Sequence, residues 1–209
     1  MPIPKIVIEY LIKDKLLAPY VYQFSDQLDP IILGENLFQG LTESIISQQI
    51  SIAAAKAITT RFRNLFPTTT PTPEEILFPT IDTLKSVGIS SRKANYIQNV
   101  ARFWQENELE GIDWSGIDSE IIIEKLTRIK GVGRWTVEMQ LLFGLGLNDI
   151  FAIDDGGLQA GIEKVYGISR TLPKKEFLAS INQITKPWSP YRSWASRIIW
   201  KIKDTKLNL

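Results

Sequence analysis

Apolar residues recur at helical spacing along most of the chain. Leu37, Leu41, Ile45, Ile46 and Ile50 fall on one stripe and predict a helix that ends near position 50. Ser51 is placed to cap the next segment, Ile52 to Phe66, which Pro67 closes. The stretch Pro67-Thr68-Thr69-Thr70-Pro71-Thr72-Pro73 cannot continue a helix and reads as a loop. Glu74-Glu75 open a short helix, a second runs from Ile81 to Val87 and stops at Gly88, and a third spans Ser91 to Asn107 with Ala94, Ile97, Val100, Ala101 and Trp104 on its buried face. Beyond the connection at 111–116, Ser119 caps Glu120 to Ile129, Gly131-Val132-Gly133 interrupts, and Arg134 to Leu145 resumes. Helices follow at Gly156 to Tyr166, Lys174 to Ile184 and Tyr191 to Lys203, with Pro173 and Pro190 at first-turn positions. Only Ile6-Val7-Ile8 and Ile150-Phe151-Ala152-Ile153 carry a strand signal, and both are short and isolated. The expected fold class is all-α, without a repeat of solenoid period.

Composition narrows the chemistry more than the fold. The 209 residues, 44% apolar and 22% charged, suffice for one compact domain or two small ones. Prolines at 2 and 4 followed by Glu9, Lys13, Asp14 and Lys15 do not make a signal peptide or anchor, and no uncharged apolar run approaches the ~20 residues a membrane helix needs. The expectation is an intracellular protein that does not engage a membrane. There is no cysteine and no histidine. Disulfides, thiolate nucleophiles, zinc ribbons, iron–sulfur clusters, Ser-His-Asp triads and imidazole ligands are all excluded, which leaves carboxylates, Lys, Tyr, Ser and Thr. Residues 1–120 carry 10 Lys and Arg against 15 Asp and Glu, and residues 121–209 carry 14 against 8. The basic C-terminal part suits an anionic partner, and uneven solubilising charge explains the numbers equally well.

The segment Leu126-Thr127-Arg128-Ile129-Lys130-Gly131-Val132-Gly133-Arg134-Trp135-Thr136 is a helix, a glycine-flanked turn and a second helix. Glycines at 131 and 133 permit positive φ and close backbone approach, and the amides at the start of the second helix point outward where the dipole favours an anion. That arrangement suits a phosphate.

Lys130-Gly131-Val132-Gly133 looks like the hairpin of a helix-hairpin-helix, and its surroundings resemble the helix-hairpin-helix DNA glycosylase superfamily, most closely the 3-methyladenine DNA glycosylase II family. Five blocks in order, within residues 41–200, carry the resemblance: Leu41-Thr42-Glu43-Ser44-Ile45-Ile46-Ser47-Gln48-Gln49-Ile50-Ser51, Gly88-Ile89-Ser90-Ser91-Arg92-Lys93-Ala94, Gly131-Val132-Gly133-Arg134-Trp135-Thr136, Asp149-Ile150-Phe151-Ala152-Ile153-Asp154-Asp155, and Trp188-Ser189-Pro190-Tyr191-Arg192-Ser193-Trp194-Ala195.

The resemblance implies a two-lobed all-α fold with a cleft between lobes and no N-terminal β domain. It implies residues 1–40 packing with the C-terminal lobe, a central helical lobe at 41–155 with the hairpin unit at 119–145, and C-terminal helices at 156–209. Asp155 matches the catalytic carboxylate, and its position also makes it a natural N-cap for the 156–166 helix; the two roles are compatible. Asp154 would orient the loop or cap the helix. Trp135, Met139 and Trp200 match the base-binding positions, Met139 standing where some members have an aromatic. Trp104, Trp114, Trp188 and Trp194 read as core. Gln49, with Gln48 beside it, matches the wedge that fills the hole left by a flipped base; ordinary helix-terminal residues would look the same.

By the same resemblance, Gly131, Val132, Gly133 and Arg134 hold a DNA phosphate, and the carbonyls of Thr127, Ile129 and Val132 bind a structural sodium, potassium or calcium ion. Ser91, Arg92 and Lys93 add phosphate contacts or simply form an exposed helix start. Bifunctional members place a Schiff-base lysine directly after the turn; here that residue is Trp135, and Lys130 precedes the turn, so a monofunctional enzyme is expected. Ala152 stands where a proline often precedes the two aspartates and Gly156 where a bulkier residue is common, which predicts a looser loop.

The activity implied is excision of alkylated purines of the 3-methyladenine and 7-methylguanine type from double-stranded DNA by a monomer that needs no cofactor for catalysis. Its place would be the cytoplasm and nucleoid of a bacterium or archaeon, or the nucleus of a eukaryote. A glycosylase for a deaminated or oxidised base, and a non-catalytic helix-hairpin-helix DNA-binding protein, are the competing readings.

Overall fold

The computed structural model describes residues 2–31 and 36–205. Residues 1 and 32–35 of the expected N-terminal segment, and 206–209 of the expected C-terminal one, lie outside the described residues. In chain order the helices are α1 (Lys5–Leu11), α2 (Ala18–Phe24), α3 (Leu37–Ser47), α4 (Ile52–Arg63), α5 (Pro73–Leu77), α6 (Ile81–Ser86), α7 (Ser91–Glu106), α8 (Ser119–Leu126), α9 (Arg134–Met139), α10 (Gly156–Tyr166), α11 (Lys174–Thr185) and α12 (Arg192–Asp204). No strand occurs among the described residues, and none of their helices is long and apolar enough to cross a membrane. Ile6-Val7-Ile8 lies inside α1, and Ile150–Ile153 is irregular. A three-residue β-branched run is too short to decide its own conformation, and burial of Val7 and Leu11 on one helical face does so instead.

Short polar side chains set most helix starts. Asn36, Ser51, Thr80 and Ser90 each accept a backbone N–H at the third residue onward, and Thr72 forms a reciprocal capping box with Glu75. Asp118, not Ser119, caps α8 by accepting from Glu120 and Ile121. The expected 134–145 helix is α-helical only to Met139; Gln140–Gly144 widens into a π turn. There the Gln140 Nε2 donates to Ser44 Oγ at 2.8 Å, tying the turn to α3.

The chain forms two compact units, Met1–Ile32 with Gly146–Leu209, and Leu33–Leu145. The loop at 146–155, assigned from sequence to the central lobe, belongs to the first unit because α12 is stitched to it. Ser193 N donates to Asn148 O, Ser193 Oγ to Leu147 O, Ile150 N to Ser193 Oγ, and Trp194 Nε1 to Asn148 Oδ1. These bonds fasten residues 147–150, ahead of Ala152 and Gly156. Asp14, between α1 and α2, accepts from Tyr166 Oη at 2.6 Å and Trp188 Nε1 at 3.0 Å, so the N-terminal residues join this unit through polar as well as apolar contacts.

In the same unit α10 lies against α12 at Gly161, where a Cβ would come within 2.4 Å of Ile199 Cγ2 and 2.6 Å of the Ile199 carbonyl oxygen. Glycine inside a helix costs about 1 kcal/mol. Burial of Leu158, Ile162, Ile198 and Ile202 offsets that several times over, at about 1.5–3 kcal/mol for each such side chain.

Asp149 closes the loop against the start of α12. Its carboxylate accepts from Ser189 Oγ at 2.7 Å and from Arg192 through N, Nε and Nη2 at 3.2, 2.7 and 3.0 Å. Burial works to raise this carboxyl, but the hydrogen bonds from Arg192 and Ser189 and the charge of Arg192 outweigh it and hold it below its ordinary value. A carboxylate depressed in the folded state stabilises the fold above its unfolded value of about 3.9, and that contribution disappears as the pH falls through the folded value. Asp149→Asn is accordingly expected to cost about 1–3 kcal/mol at pH 7. The difference from wild type should shrink steadily below about pH 4. Thermal unfolding at pH 7 and pH 3 checks this, and an equal gap at the two would contradict it.

Candidate active site and nucleic-acid interface

Asp155 is the N-cap of α10. Its Oδ1 accepts from Leu158 N at 2.7 Å and from Trp200 Nε1 at 2.8 Å. The close approach at Gly161 is what sets α10 on α12 so that the first residue of one meets the last turns of the other. Trp200, expected as a stacking surface, thus uses its indole N–H to orient the carboxylate. Asp154 does not cap; it is exposed and pairs with Lys174 at 3.6 Å. The tryptophans read as core are buried, Trp104, Trp114, Trp188 and Trp194 all at 7% exposure or less. Trp200 is half-buried, and Trp135 is 47% exposed.

The second unit carries the remaining candidates. In the hairpin Ile129 N donates to Leu126 O and Val132 N to Ile129 O. Gly131 has φ 108°, and a Cβ there would lie 2.2 Å from Tyr96 Cγ. Two requirements, a left-handed backbone and contact with a ring, fall on one residue. Gly133 needs neither: its φ is −92° and nothing lies within 4 Å of its missing Cβ. Asn99 Nδ2 donates to Lys130 O at 3.1 Å, so α7 supports the hairpin from below through Tyr96 and Asn99. Sequence reasoning missed both, since each looks like an ordinary polar position on an amphipathic helix.

The Arg134 side chain is paired with two carboxylates. Its Nη2 meets Glu120 Oε1 at 2.6 Å and its Nε meets Glu138 Oε1 at 2.9 Å. The hydrogen bond it donates to Glu120, then the charges of Glu120 and Glu138, raise the guanidinium above its ordinary value against the opposing effect of burial. The Arg134 side chain thereby clamps α8 to α9. Trp135 and Met139 lie one turn apart on α9.

Gln48 and Gln49 follow α3. Gln49 is exposed with φ 58°, Gln48 is half-buried, and Ser51 Oγ caps α4 by accepting from Ala54 at 3.2 Å. Ser91 and Arg92 are exposed at the start of α7. Lys93 is turned inward: its Nζ donates to Ile46 O at 2.8 Å and Gln48 O at 2.7 Å. Burial, then the neighbouring charge of Arg92, push its ammonium below the usual lysine value. Among the described residues no group of three or more carboxylates, histidines or cysteines could hold a metal ion.

A helix–hairpin–helix in one unit and a carboxylate that caps a helix and is held by an indole in the other are the marks of a DNA repair glycosylase fold. Residues 42–187 match the family model of the HhH-GPD superfamily base excision DNA repair proteins, and the chain belongs to that family. A DNA-3-methyladenine glycosidase from Bacillus halodurans is 32% identical with a TM-score of 0.84, covering 98% of this chain and 92% of that one. The 3-methyladenine DNA glycosylase Mag1 of Schizosaccharomyces pombe, solved with abasic DNA, is 27% identical with a TM-score of 0.72, covering 94% of this chain and 96% of that one. A 32% identical protein of Bacillus subtilis matches 82% of this chain, which spans 61% of that protein's length.

Proposed function

We propose that this protein is a monofunctional DNA glycosylase that flips alkylated purines of the 3-methyladenine and 7-methylguanine type out of double-stranded DNA and hydrolyses their N-glycosidic bond. The observation that carries the reading is Asp155, whose Oδ1 is fixed by Leu158 N–H and Trp200 Nε1–H. Glycosidases ordinarily pair an acid with a nucleophile or base because a sugar alkoxide leaves poorly without a proton. A purine alkylated at N3 or N7 is already cationic. The C1′–N bond breaks with its electron pair going to the base, which departs neutral, and no acid is required. The Asp155 carboxylate stabilises the oxocarbenium-like sugar left behind, and water adds at C1′ while giving its proton to that carboxylate and on to solvent. A chain without histidine or cysteine is sufficient for this chemistry.

Trp135 offers an exposed ring to an electron-poor base, a cation–π contact worth about 0.5–2 kcal/mol, with Met139 beside it. With Trp135 in the position where lyases carry their lysine, no amine follows the hairpin to form a Schiff base, and the product is an abasic site. Gln49, with Gln48 beside it, is assigned to the space vacated by the flipped base. The backbone amides of Gly131, Gly133 and Arg134 face a DNA phosphate, a contact that positions the protein without reading sequence, while that of Val132 is spent on the Ile129 carbonyl. The carbonyls of Thr127, Ile129 and Val132 are hard, neutral donors of the sort that suit a sodium, potassium or calcium ion, and the segment contains no carboxylate to select magnesium. The protein is taken to act as a monomer.

Duplexes carrying 7-methylguanine, 3-methyladenine, hypoxanthine, uracil or 8-oxoguanine test the reading by release of free base, followed by strand scission with and without alkali. Release of the methylated purines, with scission only after alkali, is the expected result. Release confined to the deaminated or oxidised bases, or scission without alkali, would overturn the substrate or the monofunctional assignment respectively.

A further inference from the structure

The turn between α3 and α4 has little packing of its own. Gln49, Ile50 and Ser51 are exposed, and Ile52 beyond them is 90% exposed. Gln49 at φ 58° occupies the left-handed region, at a cost of about 1–2 kcal/mol for a residue with a Cβ. A turn that carries this cost without burying its tip must be held through its backbone. At its base the carbonyls of Ile46 and Gln48 stand where α3 has ended and helical N–H partners have run out. Lys93, on α7 and more than forty residues away in sequence, donates to both, at 2.8 and 2.7 Å.

We infer that Lys93 is a positioning residue for base flipping: bridging the carbonyls of Ile46 and Gln48, its ammonium holds the 48–51 turn in the shape that projects Gln49, and it does so without touching DNA. The inference rests on the glycosylase reading and on Gln49 as the wedge. An ammonium has three donors, and two are spent on these carbonyls. The half-buried stem keeps the group facing α3, unlike the exposed side chains of Ser91 and Arg92 next to it. These charge-assisted bonds to helix-end carbonyls join the turn to α7 and depend on the identity of a single side chain. The consequence is selective. Removing the bridge penalises only substrates whose lesion must be extruded from a paired stack, because a lesion already unpaired needs no wedge.

Single-turnover release of 7-methylguanine from two duplexes tests this, one with the lesion paired to cytosine and one with it in an unpaired bubble. For Lys93→Met we expect a loss of about tenfold on the paired substrate and less than about twofold on the bubble. Lys93→Arg, which keeps the charge and the reach, should recover most of the paired rate. Gln49→Ala should show the same selectivity, and Gln49→Ala combined with Lys93→Met should be no slower than Gln49→Ala alone. Lys93→Gln serves as a second variant, and misfolding of either variant would lower both arms together with its thermal midpoint. Equal losses on the two duplexes in a folded variant would overturn the inference. So would multiplicative losses in the double variant, or a salt dependence of binding reduced by about one unit of slope, the mark of a lysine that contacts phosphate directly. Failure of the wild-type protein to release base from either duplex would overturn the glycosylase reading itself.

Discussion

Asp155→Asn is expected to lower base release by about 10²–10³-fold or more while duplex binding stays within about threefold of wild type. The substitution is nearly isosteric and retains the oxygen at which both Leu158 N–H and Trp200 Nε1–H terminate. The α10 cap and the indole contact therefore survive, and only the negative charge to which we assign stabilisation of the sugar cation is removed. Asp155→Ala differs, since it also discards the cap, at a further cost of about 1 kcal/mol in stability. Release under single-turnover conditions, with binding measured separately on the same duplex, distinguishes the two. An Asn variant that turns over normally would remove Asp155 from the reaction.

Gly131→Val carries the second large effect, directed at binding. Any β-carbon at this position meets the Tyr96 ring at 2.2 Å and must in addition adopt φ 108°. Backbone strain of this kind costs about 1–3 kcal/mol, and overpacking of a contact adds about as much again. The hairpin should lift from α7, break the Asn99–Lys130 bond and disperse the amides that face phosphate, weakening duplex binding by about tenfold or more. Tyr96→Gly, made with and without Gly131→Ala, separates the two costs: it removes both the ring and the Tyr96 Cβ, which would lie 2.6 Å from the new β-carbon, and leaves the torsion. Recovery of thermal stability without full recovery of binding is the expected pattern, and full recovery of both would show that the torsion does not matter.

The helices of the second unit were legible because their signals are local. Periodicity in α3 and α7, together with Ser51, places the helix starts, while α3 and α4 end three residues before the sequence suggests, at Ser47 and Arg63. Asp155 was legible for the same reason, its cap position and its motif both lying in one short block. The π turn at Gln140–Gly144 was not, since its hold on α3 depends on Ser44, nearly a hundred residues earlier. Arg134 and Lys93 make the point chemically. Each is a cation in a block that carries the family resemblance, yet the first is occupied by Glu120 and Glu138 and the second by two carbonyls. Glu138, one turn on from Arg134, lies within reach of residue spacing, whereas the carbonyls at the end of α3 that Lys93 meets do not. Trp200 was found for a stacking role, and its N–H bond to Asp155 emerges only once α10 and α12 are laid together at Gly161.

Ser193, Ser196 and Trp200 recur at intervals of three and four along α12, on one side of it, and between them they fasten the 147–150 loop and the carboxylate of Asp155. During synthesis, Asp155 leaves the ribosome some forty-five residues before the indole that orients it. A nascent chain released before residue 200 would contain every hairpin element and the acid itself, but no fixed reacting group. Loss of α12 by proteolysis or local fraying would have the same result, so competence for base removal should fail at a lower temperature than the helical content of the molecule.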